Sequence, residues 1–224
     1  MMRMIVLVAG AAAAMTTPAR AEDMVSLDIY AIPSAPLVAS VDRASAELAA
    51  SGMQTFRMRG QAVHATLYLT RYPASAIPRL KKAVAALAKR RASIPLAVDG
   101  IDRTANNWLF LHLARTPALQ RLADEATLAG EPLRDRSLAP PAWMSAYPAK
   151  LPAFERYGSP NVFMQFDPHL TLLANEANPA LGTFASAPDG HRFDAAGSVV
   201  GIGIGEVDAN GQIVRTVAEY RFKR

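Results

Sequence analysis

The chain has no cysteine in its 224 residues, which rules out disulfide staples, a thiolate nucleophile and Cys-ligated zinc. Histidine is sparse, with 4 in all. Neither His-x-His nor His-Glu-x-x-His occurs, and no cluster of carboxylates stands near a histidine, so the spacings that hold a catalytic metal are missing. No metal and no other cofactor is expected. Long apolar runs are lacking too. Ile5 to Met15 falls short of the ~20 apolar residues that cross a bilayer as a helix, and charges interrupt every later candidate. The excess of positive charge is small: 24 Lys and Arg face 19 Asp and Glu, and without Arg3 and Arg20 the balance drops from +5 to +3. That suits an anionic small ligand, but it is not the dense basic stripe of a duplex-binding protein. Chemistry is left to His, Ser, Thr and carboxylates.

The N-terminus reads as an export signal. Met1-Met2-Arg3-Met4 gives a positive start and Ile5 to Met15 an apolar stretch. Ala19 and Ala21 then sit in an A-x-A arrangement, predicting cleavage after Ala21 and a periplasmic or secreted mature chain beginning at Glu22.

Beyond it, Val25 to Ile32 predicts a strand closed by Pro33, and Leu37, Val41, Ala44 and Leu48 a helix stopped at Ser51-Gly52. Gln54 to Arg59 and Val63 to Tyr72 predict strands. Ile77, Leu80, Val84 and Leu87 mark a helix capped by Ser75. Strands follow at Ile94 to Val98 and Trp108 to Ala114, then a helix from Thr116-Pro117 to Gly130. Residues 131 to 160, broken by six prolines, read as a connector with one short helix near Leu151 to Tyr157. Regularity returns as a strand at Phe166 to Ala174, a helical piece near Pro179 to Ser186, and strands at Ser198 to Val207 and Gln212 to Phe222 around the turn Asp208 to Gly211. Strand, helix, strand, strand thus follows each of two histidines, and suggests two similar lobes.

Those histidines are His64 and His169, 105 residues apart, standing in His64-Ala-Thr66-Leu67 and His169-Leu-Thr171-Leu172. In a strand, residues two apart share a face, so each segment sets an imidazole and a hydroxyl side by side. Opening a phosphate diester takes one proton from the nucleophile and gives another to the leaving oxygen, on opposite sides of phosphorus. Two facing imidazoles, one neutral and one protonated, do both near neutral pH. A Thr hydroxyl on the same face can donate to a non-bridging oxygen.

These two motifs resemble the signature of the two-histidine (2H) phosphoesterase superfamily, which includes the 2′-5′ RNA ligase-like proteins and cyclic nucleotide phosphodiesterases; Phe166-Asp167-Pro168 before the second motif is similar as well. The resemblance implies a bilobal α+β fold of two pseudo-symmetric lobes, with antiparallel sheets lining a central cleft and helices outside, formed by residues 22–224 as one domain. It also implies metal-independent hydrolysis of 2′,3′-cyclic nucleotides or RNA-end cyclic phosphates, with His64 and His169 as the acid–base pair and Thr66 and Thr171 holding the phosphate. The expected partner is a nucleotide or short RNA end. A non-catalytic module that only binds such a phosphate is the competing expectation.

Two further residues are candidates for contact with the substrate. Strict alternation puts Tyr68 on the His64 face. Trp108 alternates with Leu109, Leu111 and Leu113, as do Phe110 and His112, so that Trp108 can stack on a base, although filling the sheet is the commoner role of such aromatics. His112 reads as a structural histidine and His191 as a turn residue. Asp167 shares the His169 face and can orient it. Arg57, Arg59 and Lys150 can meet a phosphate, but such side chains are usually just solvated. Gly201-Ile-Gly-Ile-Gly205 sits inside a strand pattern with no helix after it, and so marks a bulge or close packing rather than a nucleotide loop.

Overall fold

The computed structural model describes residues 22–187, 189 and 192–223; residues 1–21, read above as an export signal, and His191 lie outside the described residues. The elements are β1 (Met24–Pro33), α1 (Ala35–Ala50), β2 (Ala65–Pro73), α2 (Ile77–Lys89), β3 (Ile94–Arg103), β4 (Leu109–Leu113), α3 (Pro117–Gly130), α4 (Leu151–Tyr157), β5 (His169–Leu173), α5 (Ala180–Ala185), β6 (Ala195–Val207) and β7 (Ile213–Arg221). This is an α+β architecture in which every strand pairing is antiparallel.

Local chemistry explains most boundaries. Thr116 caps α3, its hydroxyl accepting from Leu119 N at 3.2 Å, with Pro117 at the first helical position. Gly52 takes the left-handed conformation just past α1, at φ 78°, where a side chain would be strained. Leu37, Val41, Ala44 and Leu48 are buried along one stripe of α1, as their spacing predicts. The short helix expected in the proline-rich connector is α4, ended by the left-handed Gly158.

Two expectations need correcting. Gln54 to Arg59 is a run of turns, because Phe56 N donates to Leu172 O while Arg59 N bonds back to Thr55 O and Phe56 O, leaving the segment no neighbouring ladder to join. Ser75 does not cap α2: a single 3-10 turn, Ala74–Ala76, leads into the helix, and Ala76 occupies the cap position.

The sheet runs β2-β1-β6-β3-β4-β5, with β7 also on β6. Val199 of β6 pairs with Pro33 of β1 and with Ile94 of β3, so those neighbours lie on opposite edges. Along the edge facing away from β1, β6 pairs first with β3 over Ala195–Val199 and then with β7 over Gly201–Val207. The two halves, β1-β2-β7 and β3-β4-β5, are therefore joined through one strand. α1, α2 and α3 pack on the same large core as Leu27, Ile29, Ala31, Leu109, Leu111, Leu113, Leu170 and Leu172. A second, smaller cluster of Tyr30, Ile32 and Ile213 lies on the opposite face.

The stripe Gly201, Gly203 and Gly205 faces Ile32, Tyr30 and Asp28 of β1 in the pairing register. A Cβ on Gly203 would enter the Tyr30 ring, and one on Gly205 would stand 2.9 Å from Ile213. The glycines thus make room for large side chains on the face away from the helices, which is the close packing anticipated from their alternation.

Candidate active site

Both motifs share a local design. His64 Nδ1 lies 3.0 Å from Ala62 O, and His169 Nδ1 lies 2.8 Å from Asp167 O. A carbonyl only accepts, so each Nδ1 carries the hydrogen and each Nε2 is left as the working nitrogen.

Each motif also ends in the same irregularity. Ile29 pairs with Tyr68 and Tyr30 with Thr66, leaving Leu67 as an extra residue in β2. Leu109 pairs with Leu173 and Phe110 with Thr171, leaving Leu172 as an extra residue in β5. The final leucine of His-x-Thr-Leu is the bulge in both strands, and a bulge re-aims the side chains around it. Leu67 and Tyr68 are both buried on the helix side, as are Leu172 and Leu173, while Thr66 and Thr171 are half-buried on the other face.

The bulge overturns the placement of Tyr68 at the cleft. It is wholly buried, and its hydroxyl donates to Tyr157 O at 2.6 Å. The alternation that would set it beside His64 changes phase at Leu67.

In the second half, β4 and β5 carry their functional face in register. His112 lies opposite His169, and Phe110 opposite Thr171. The Phe110 ring centre stands 4.1 Å from that of His169, and Trp108 stands 6.0 Å from Phe110. Trp108 is half-buried, with Nε1 donating to Asn175 Oδ1 at 3.2 Å. Leu109, Leu111 and Leu113 are buried on the helix side, so Trp108, Phe110 and His112 form a row along the second motif. His112 Nδ1 pairs with Asp99 Oδ1 at 2.5 Å.

The halves meet at a small depression lined by His64 and Thr171 together with Val41, Phe56, Arg57, Gln61 and Gln212. One residue from each motif borders the same space. The positive form of His169 is close enough to disfavour protonation of His64. Burial is the main cause that lowers the pKa of both imidazoles; backbone carbonyl acceptors, Ala62 and Gly211 for His64 and Asp167 for His169, oppose it. Lys150 and His112 also disfavour a charge on His169. At neutral pH the pair is thus biased towards the neutral form needed in a base.

The weighed cations are otherwise engaged. Arg57 pairs with Asp42 at 2.7 Å, Arg59 lies over the Phe56 ring at 4.6 Å, and Lys150 donates to Asn161 at 2.6 Å. Asp167 meets His169 through its backbone carbonyl and is exposed. Among the described residues no group of three His, Asp or Glu side chains is arranged to hold a metal ion, and no helix is long and apolar enough to cross a membrane.

One residue of the site went unnoticed in the sequence. Asp28, in the middle of β1, is wholly buried on the motif face; its Oδ2 accepts from Thr66 Oγ1 at 2.7 Å and lies 3.6 Å from His64 Nε2. The available signal was an acidic residue inside an otherwise apolar strand.

No family model and no curated protein sequence matches the chain. Solved structures do. TT0787 of Thermus thermophilus is 16% identical, with 88% of this chain and 97% of that one covered at a TM-score of 0.54. Escherichia coli LigT complexed with 3′-AMP is 15% identical over 90% of this chain and 100% of that one, at 0.53. The NADP+ complex of LigT gives 15% identity, the same coverage and 0.50. At such identities the likeness establishes a shared fold, the LigT-like α+β fold that the two motifs implied.

Proposed function

We propose that the chain is an exported phosphodiesterase that opens 2′,3′-cyclic nucleotides or cyclic phosphates at RNA ends without a metal, passing protons between His64 and His169. The observation that carries this reading is the shared border of His64 and Thr171 on one depression, with the Nδ1 of each imidazole held by an upstream carbonyl. In this reading His169 takes a proton from the attacking water and His64 gives one to the leaving oxygen. Thr171 donates to a non-bridging oxygen as negative charge builds there. Thr66 joins it when released from Asp28. Trp108 and Phe110 offer a face on which any base can stack. The 3′-AMP and NADP+ held by LigT in its solved complexes are nucleotides, which supports a nucleotide ligand in the broad sense.

The test is incubation of the mature chain with 2′,3′-cyclic nucleotides, with chromatographic detection of the ring-opened monophosphate, in buffer with and without chelator. Hydrolysis unaffected by chelator, and lowered at least ~100-fold by His64→Ala and by His169→Ala, is the expected result for a lost acid or base. Calorimetric binding of the nucleotide with no product would make the chain a binding module instead.

A further inference from the structure

Asp28 is a wholly buried carboxyl group at the site that the proposed reaction leaves unused. Its Oδ2 has two neighbours, the Thr66 hydroxyl at 2.7 Å and His64 Nε2 at 3.6 Å, and its Oδ1 is buried without any hydrogen-bond partner. A carboxylate held only for structure would be expected to have both oxygens satisfied. Among the described residues His64 is its only ion-pairing neighbour. The other titratable groups whose charges reach it are Tyr30 on β1, whose hydroxyl donates to Glu219 of β7 at 3.0 Å, and Tyr72 on β2. Burial holds both tyrosines in the neutral form, and β6 brings only Gly205 opposite it.

We infer that Asp28 and His64 form a proton-sharing pair in which Asp28 is the positioning residue that keeps a proton available to the Nε2 of the leaving-group acid. The inference rests on the reading of His64 as that acid. One buried proton serves the two groups: burial lifts the Asp28 carboxyl to about 8 and lowers His64, so the resting state is a carboxylic acid beside a neutral imidazole. When charge develops on the leaving oxygen, the proton on Oδ2 passes to Nε2 and Nε2 gives a proton to that oxygen as the P–O bond breaks. The Asp28 carboxylate left behind accepts the Thr66 hydroxyl and is reprotonated from solvent. The transfer asks the 3.6 Å separation to close by roughly half an ångström, to hydrogen-bond length.

Two measurements decide it. In the wild-type chain, titration of the ¹⁵N-labelled imidazoles, with His64 assigned through His64→Gln, is expected to show an inflection near pH 8 at His64. Asp28→Asn, which still accepts from Thr66 but holds no transferable proton, is expected to abolish it. In the pH profile of kcat/KM, the alkaline limb of Asp28→Asn is expected to move down by more than one pH unit. A His64 resonance flat around pH 8, or an unchanged profile with a uniform loss of rate, overturns the pair. The wild-type titration decides the matter even if Asp28→Asn fails to fold. It does so even if no cyclic phosphate is hydrolysed, an outcome that removes the proposed activity alone.

Discussion

Tyr30 fills the space that a side chain on Gly203 would occupy, across the β1–β6 ladder. The ring so placed meets His64 edge-on at 5.7 Å between centres, so a glycine on β6 sets one wall of the imidazole's cage.

Gly203→Ala is therefore expected to push the Tyr30 ring off its site. Overpacking of this kind costs about 1–3 kcal/mol, measurable by urea unfolding. The same variant should lower turnover of a cyclic nucleotide, because the displaced ring bears on His64. An alanine tolerated without loss of stability would show that the ring has room to yield.

Tyr68→Phe separates a core tyrosine from a substrate contact. It removes the donor to the half-buried Tyr157 O, 2.6 Å away, at a cost of about 1 kcal/mol. Stability should fall while KM and kcat hold. A raised KM with intact stability would return Tyr68 to the cleft.

The two threonines are expected to differ. The Thr66 hydroxyl is committed to Asp28, whereas no hydrogen-bond partner stands by the Thr171 hydroxyl among the described residues, and Thr171 lines the depression. Thr171→Val should lower kcat/KM by on the order of 10–100-fold, as expected of a lost transition-state donor, with unfolding unchanged. Thr66→Val should lower stability as well, since it also strips Asp28 of its hydrogen bond.

Stability against pH carries the mark of Asp28. Between pH 6.5 and 8 the unfolded chain has released the Asp28 proton while the folded chain retains it, its carboxyl being lifted to about 8. The folded state then binds more protons, so stability falls as pH rises, with a slope approaching about 1.4 kcal/mol per pH unit. The lowered histidines act below this window: their contribution is present above their ordinary value near 6.5 and is lost on acidification. Chemical denaturation of Asp28→Asn across pH 6.5 to 8 should give a flat line where the wild type declines.

Phe110→Ala and Trp108→Ala test the stacking face. Each should raise KM for a cyclic nucleotide roughly tenfold, in keeping with ~1–3 kcal/mol per stacked base, and leave kcat nearly unchanged. Equal KM values would assign both rings to the sheet.

Much of this was legible in the chain itself. Apolar spacing located α1 and α3 because each has one buried stripe and one chemical boundary, the left-handed Gly52 after α1 and the Thr116 cap before α3. The two His-x-Thr-Leu segments named their strands because imidazole and hydroxyl alternate with core leucines. Tyr68 was misplaced because a period of two assumes an unbroken ladder, and nothing in Thr66-Leu67-Tyr68 announces an extra residue; the bulge is defined by the partner strand. Gln54 to Arg59 has the residues of a strand but no neighbour to pair with, which only the tertiary structure decides. Asp28 was visible as an acid within an apolar strand, yet its meaning depends on Thr66 and His64 being folded against it.

That β6 serves both halves has a mechanical consequence. The two motif strands, β2 and β5, stand at opposite ends of the strand order, and the halves that carry them are joined by continuous backbone hydrogen bonds from β1 through β6 to β3. Any change in the angle between the halves must therefore be taken up by twisting or breaking the ladders of β6, which both halves share.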